Sequence, residues 1–204
     1  MAVNKINPRF AILLLFMVVV GLLRILNAIE ISAWSNFTPI GAMGIFGGAY
    51  FDRRWKAFAF TLITLLIGDV IIQTLIHKGT FSARPPIYFA FFVIVLIGIT
   101  IIKSISVKRI ALASVLSAIS FWLIADFAVW AGGGIDIRTQ TPLSRDFAGL
   151  MQCYWQGFPF MINFLLGTIF YSALMFGSFE FIQRKFPALQ SQSAKPGKST
   201  KPLL

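Results

Sequence analysis

The sequence predicts an all-α, polytopic membrane protein: a six-helix bundle with a short, glycine-rich second helix and both termini in the cytoplasm. Three observations predict it. The chain of 204 residues is 57% hydrophobic and only 12% charged, and its apolar residues run together in stretches that a soluble domain would leave facing water. The net charge of +11 sits in short clusters between those stretches and in the C-terminal tail, which is how the positive-inside rule distributes Lys and Arg. Finally, Asn36 to Tyr50 is apolar although five of its fifteen residues are Gly or Pro, a composition that lets helix backbones approach closely in lipid.

Residues 1–9 carry Lys5 and Arg9, and Phe10 to Ala28 forms a first span interrupted only by Arg24. No small-x-small cleavage site follows it cleanly, so it is retained as a helix and not removed as a signal peptide. The connection from Ile29 to Asn36 holds Glu30 and Trp34 and leads into the glycine-rich helix. From Ile40 to Phe51 that helix would cover about 18 Å, less than the roughly 30 Å of a bilayer core, so it belongs inside the bundle. A third span, Ala57 to Ile76, follows the charged cluster Asp52-Arg53-Arg54-Trp55-Lys56. The pair Pro85-Pro86 makes a sharp start for a fourth helix, Ile87 to Ile102.

Ile110 to Trp130 is a fifth span. The long connection from Ala131 to Gly157 opens on Gly132-Gly133-Gly134 and suits either a lid over a pocket or a plain exposed link. Phe158 to Phe181 is the sixth span. The transmembrane domain thus covers residues 1–186, and residues 187–204, rich in Ser, Gln, Lys and Pro, read as a disordered basic tail. Small residues form stripes suited to tight packing: Gly44 with Gly48, then Ala57, Thr61, Thr64 and Gly68, then Ala111, Ser114, Ala118 and Ala125. With six crossings, 13 Lys and Arg fall on the cytoplasmic side and Lys78, Arg84, Arg138 and Arg145 on the other. That count puts both ends inside, and the expected location is a bacterial plasma (inner) membrane.

Polar residues within the spans gather in the outer half. Arg24 lies there in the first span, Asp69 and Gln73 one turn apart in the third, Asp126 near the outer end of the fifth and Asn163 near the outer start of the sixth. Glu180, at the inner end of the sixth, breaks the pattern. A charge in hydrocarbon costs on the order of 3 kcal/mol even on the lenient insertion scale, so such residues should face one another or a watered cavity. Two readings are open: a structural ion pair with snorkelling ends, or an outward-facing pocket for a small polar molecule, its mouth closed by Asn27, Glu30, Asn36 and Thr38. Trp130, with Trp34, Tyr154 and Trp155, is either part of an aromatic belt or a wall that stacks on a planar ligand.

Other chemistry finds little footing. One Cys and one His make neither a disulfide framework nor a multi-residue metal site. Cys153 and His77 lie in different loops, and the sequence has no H-E-x-x-H and no G-x-S-x-G. The three consecutive glycines lack the preceding strand and following Lys of a phosphate loop. The expectation is therefore no enzymatic activity, no cofactor, no metal and no nucleic-acid partner.

The segment from Gly41 to Phe51, the polar first loop and the pair Gly68-Asp69 late in the third of six hydrophobic segments resemble the substrate-binding S components of energy-coupling-factor vitamin transporters. Asn36-Phe-Thr-Pro-Ile-Gly-Ala-Met43 with Phe46-Gly-Gly-Ala-Tyr-Phe51 is similar to an uncharacterised bacterial family of proposed transport proteins with that architecture. The resemblance implies capture of a vitamin-like micronutrient on the outer side, with uptake driven by a separate transmembrane coupling subunit and paired ATPases. The first helix departs from the pattern, because Ala11, Gly21 and Ala28 lack the Ala-x-x-x-Ala spacing used for docking.

The reading adopted is a substrate-capture subunit in which Arg24, Asp69 and Asp126 are charged anchors, Asn36 and Asn163 orient the ligand by hydrogen bonds, and aromatic residues form walls. The alternatives are a proton-coupled secondary carrier that uses Asp69, and a non-transporting membrane assembly subunit.

Overall fold

The computed structural model describes residues 8–27, 36–186 and 189. Glu30, Trp34 and the expected tail, apart from Leu189, lie outside the described residues, as does the side chain of Asn27. Six α-helices form the described chain: α1 (Pro8–Asn27), α2 (Ile40–Tyr50), α3 (Arg54–Ile71), α4 (Pro85–Ile101), α5 (Val107–Ala131) and α6 (Phe147–Lys185). By length and composition α1, α3 with its extension to Ile76, α5 and α6 could each cross a membrane. The apolar helices α2 and α4 are shorter, with 11 and 17 residues.

Direction can be read from side chains that join helix ends. Arg9, at the start of α1, donates to the Tyr50 carbonyl at the end of α2 and to Gln183 near the end of α6. Arg24, near the end of α1, meets Asp69 late in α3, beside Tyr88 early in α4. Trp122, late in α5, donates to Tyr154 early in α6. Hence α1, α3 and α5 run one way, and α2, α4 and α6 run the other.

The centre of the molecule is α2, apolar all round and buried from Ile40 to Gly47. Its glycines are what let neighbours reach it, on three sides. A Cβ on Gly48 would lie 2.6 Å from the Val95 carbonyl oxygen and 2.8 Å from the Ile99 nitrogen of α4, and one on Gly44 would meet Ile94. At Gly47 the added carbon would meet Met17 of α1 and Thr61 of α3, and at Gly41 it would overlap Thr168 of α6. Between these contacts Phe46 is fully buried, stacked on Phe16 and met edge-on by Phe176 and Phe179. The expected small-residue stripes of α3 and α5 are largely buried as well: Ala57, Thr61, Gly68, Ser114, Ala118 and Ala125, with Ala111 exposed.

Two boundaries differ from expectation. The sixth helix starts at Phe147, eleven residues before the expected Phe158, so the connection between α5 and α6 shrinks to residues 132–146. Asp146 caps the start of α6 by accepting the Gly149 N–H at 2.8 Å, and Pro159 lies inside the helix. Gly149, Gly157 and Pro159 read as breakers in sequence, yet the cap and the packing against α5 carry the helix through them. The shortened connection is tied down by a two-residue ladder, Ile135–Asp136 against Thr141–Pro142. Arg138 also pairs with Asp136, holding that carboxyl below the usual range, and Arg145 donates to the Ala131 carbonyl at 2.7 Å.

The other difference lies after Ile71, where the helix widens. His77 N–H reaches back five residues to the Ile72 carbonyl at 2.9 Å, and Gly79 N–H reaches the Gln73 carbonyl at 2.9 Å. Such wide turns cluster at functional sites.

Because the Gly48 contact is backbone to backbone, no rotamer change can relieve it. Gly48→Ala should lower stability in detergent by about 1–3 kcal/mol, the cost of overpacking. Gly177 has open space around it, so Gly177→Ala should leave the thermal midpoint unchanged or raise stability by about 0.5–1 kcal/mol.

Candidate functional site

Asp69 carries the densest set of polar contacts at one end of the helices. Its side chain is 1% exposed and pairs with the Arg24 guanidinium, itself 16% exposed. Arg24 also donates to the Leu65 carbonyl at 3.3 Å. Gly68 makes room for this, since a Cβ there would lie 2.5 Å from Arg24 Nη1. From the other side Tyr88 Oη donates to Asp69 Oδ2 at 3.0 Å, and Arg84 Nη2 stands 3.6 Å from Oδ1 while its side chain stays 56% exposed. Thus α1, α3 and the start of α4 converge on one carboxylate. Two guanidinium groups against one carboxylate leave a surplus positive charge.

Gln73, one turn after Asp69, lies where the helix widens. Its Oε1 accepts the Ser82 N–H at 2.8 Å, which folds the loop before α4 back over the end of α3, while its Nε2 is buried without a partner. Arg84 and Tyr88 were not among the sequence-derived site residues. The order Arg84-Pro-Pro-Ile-Tyr88 held a signal, because a helix starting at Pro85 puts Tyr88 one turn inside and Arg84 at its mouth.

The remaining expected residues lie elsewhere. Asn36 is exposed in a left-handed conformation, φ 71°, which Asn tolerates better than most residues. The segment it begins runs along α6: Phe37 packs on Phe170 and Tyr171, and the Thr38 backbone passes so close to Gly167 that a Cβ there would lie 2.8 Å from Thr38 N. Thr38 Oγ1 is buried without a partner. Asn163 is half-buried on α6. Trp130 donates its indole N–H to the Ser144 carbonyl at 2.9 Å and packs on Phe127, so it anchors the connection after α5.

Asp126 does not join the Asp69 cluster. Its neighbours are Trp122, Cys153, Tyr154 and Gly157, on α5 and α6. A Cβ on Gly157 would overlap Asp126 Oδ2, so the carboxyl occupies the space that this glycine leaves open.

A second polar group lies at the opposite end, where the sequence suggested apolar or small residues apart from Glu180. Arg9, expected in a loop before the first span, is 7% exposed and donates to the Tyr50 carbonyl at 3.1 Å, the Leu189 carbonyl at 2.8 Å and Gln183 Oε1 at 3.3 Å. Tyr50 Oη donates to Glu180, and so does Gln183 Nε2. The gathering of polar residues in one half is therefore incomplete. Among the described residues no cluster of three or more His, Cys, Asp or Glu could hold a metal ion.

Removing one partner of a buried ion pair costs about 3–5 kcal/mol. Asp69→Ala should therefore be strongly destabilising in a thermal melt, and Arg24→Ala in the same background should recover part of the loss. Gly157→Ala should cost about 1–3 kcal/mol by overpacking. Adding Asp126→Ala should relieve most of that cost, and the double-mutant cycle reports the contact directly.

A sequence profile described as "Family of unknown function (DUF6580)" matches residues 4–189. Neither a curated protein nor a solved structure matches the chain.

Proposed function

We propose that this chain, which belongs to the DUF6580 family, is a membrane substrate-capture subunit for a small, polar, vitamin-like metabolite. The observation that carries this reading is the constellation around Asp69. A carboxylate 1% exposed is served by the guanidinium groups of Arg24 on α1 and of Arg84 just before α4 and by a tyrosine, and the amide nitrogen of Gln73 is buried nearby without a partner. A purely structural pair would be complete with Arg24 alone. Arg84 adds an exposed cation at the mouth, so a ligand bearing a carboxylate or another anionic group would balance the surplus charge.

The alternating helix directions and the Lys and Arg distribution support six crossings with both termini in the cytoplasm, and in this reading the membrane is a bacterial plasma membrane. The Asp69 end then faces outward. By its resemblance to vitamin-transporter S components, the chain would deliver its ligand through a transmembrane coupling subunit with paired ATPases.

Mass spectrometry of the gently purified protein should identify a retained small molecule. Arg84→Gln should weaken its binding about tenfold or more while changing stability by no more than about 0.5 kcal/mol, as for other exposed positions. Unchanged binding in this variant would remove Arg84 from the site. A stable membrane partner with no retained metabolite would replace capture with an assembly role.

A further inference from the structure

The seven acidic residues of the chain can be sorted by what holds them. Asp69 has two Arg and a Tyr, Asp136 has Arg138, and Asp146 takes the Ser144 hydroxyl and the Gly149 N–H. Glu180 takes Tyr50 and Gln183. Asp52 is also engaged, and Glu30 lies outside the described residues. Asp126 is different: among the described residues it alone has a carboxylate oxygen, Oδ2, buried with no hydrogen-bond partner, and it makes no ion pair.

Among the described residues the surroundings offer no counter-charge. On α6, Cys153 Sγ contacts the Asp126 carbonyl at 3.3 Å and Tyr154 Oη donates to the Leu123 carbonyl at 3.1 Å. On α5, the Trp122 indole N–H donates to the Tyr154 carbonyl at 3.2 Å and is also within hydrogen-bonding reach of the Asp126 carboxyl, to which it brings no charge. The titratable side chain of α4, Tyr88, is bonded to Asp69, and that of α2, Tyr50, lies at the opposite end. In the connection after α5, Arg138 is held by Asp136 and Arg145 by the Ala131 carbonyl. A carboxylate in an apolar helix that could cross a membrane cannot stay both ionised and unpaired without a large solvation cost. The smallest cation that completes it is a proton.

We propose that Asp126 is a proton-binding site, taking up and releasing a proton on the carboxyl oxygen that faces Gly157, while Asp69 stays locked by its two cations. This differs from a carrier that exchanges protons at Asp69, and it does not depend on the capture reading, because the test needs no solute.

The full chain in phosphatidylcholine vesicles, labelled with ¹³C-aspartate, should show by infrared spectroscopy the carbonyl stretch of an un-ionised carboxyl group at neutral pH. The isotope assigns the band to aspartate, and deuteration should shift it. Alkaline titration should remove it reversibly. Asp126→Asn should lose the band, whereas Asp69→Asn should keep it. Absence of the band from the labelled wild-type protein, or its survival in a folded Asp126→Asn variant, would overturn the proposal. The wild-type measurement alone decides the matter if the variants do not fold.

Discussion

Everything else in this molecule depends on how closely neighbouring backbones come to α2. Glycine removes the side chain that would otherwise hold two helices several ångströms further apart, and here four glycines on one 11-residue helix do so on three sides. Van der Waals packing is the main attraction available between helices where no water is displaced, so contact area gained by small residues takes the place of the hydrophobic effect. The aromatic rings around Phe46 fill the space that the glycines leave between the helices.

Against that apolar centre, α1 is fixed by charge at both ends. Arg9 holds it to the ends of α2 and α6, and Arg24 holds it to α3. Between them Leu15, Val18, Val19 and Leu22 are exposed, as suits a helix that turns one face to lipid. Buried ion pairs contribute little net stability compared with apolar packing, but they penalise any register that separates the partners. A slip of α1 by one residue would carry both guanidinium groups away from their acceptors at once.

Much of this was legible in the chain itself. Counting the wide turn to Ile76 with α3, apolar run lengths gave five of the six helices to within about three residues at either end, and the short glycine-rich helix could be recognised because nothing else in the chain combines such apolarity with so many glycines. Depth put Arg24, Asp69 and Asp126 in one layer, where charges should face one another or a watered cavity, but a structural ion pair was only one of the two readings this left open, and depth did not say that Arg24 would choose Asp69. The start of α6 was not legible, because Gly157 and Pro159 mimic a boundary and the cap that sets the real one, Asp146, is eleven residues upstream. Depth also could not tell which acid lacks a partner: Asp69 and Asp126 look alike in sequence and differ only in which helix faces supply cations. Arg9 was misplaced for a related reason, since a charged residue beside a span reads as a loop residue until the ends of two distant helices are seen to close over it.

The helices differ greatly in height. At 1.5 Å per residue α2 rises about 16 Å, while the stretch of α1 from Arg9 to Arg24 rises about 22 Å and α6 nearly 60 Å. Arg9 touches the last residue of α2, so the axial helix has already stopped below the level of Arg24. The level of Arg24 and Asp69 is therefore built by α1, α3 and the start of α4 without a residue of α2.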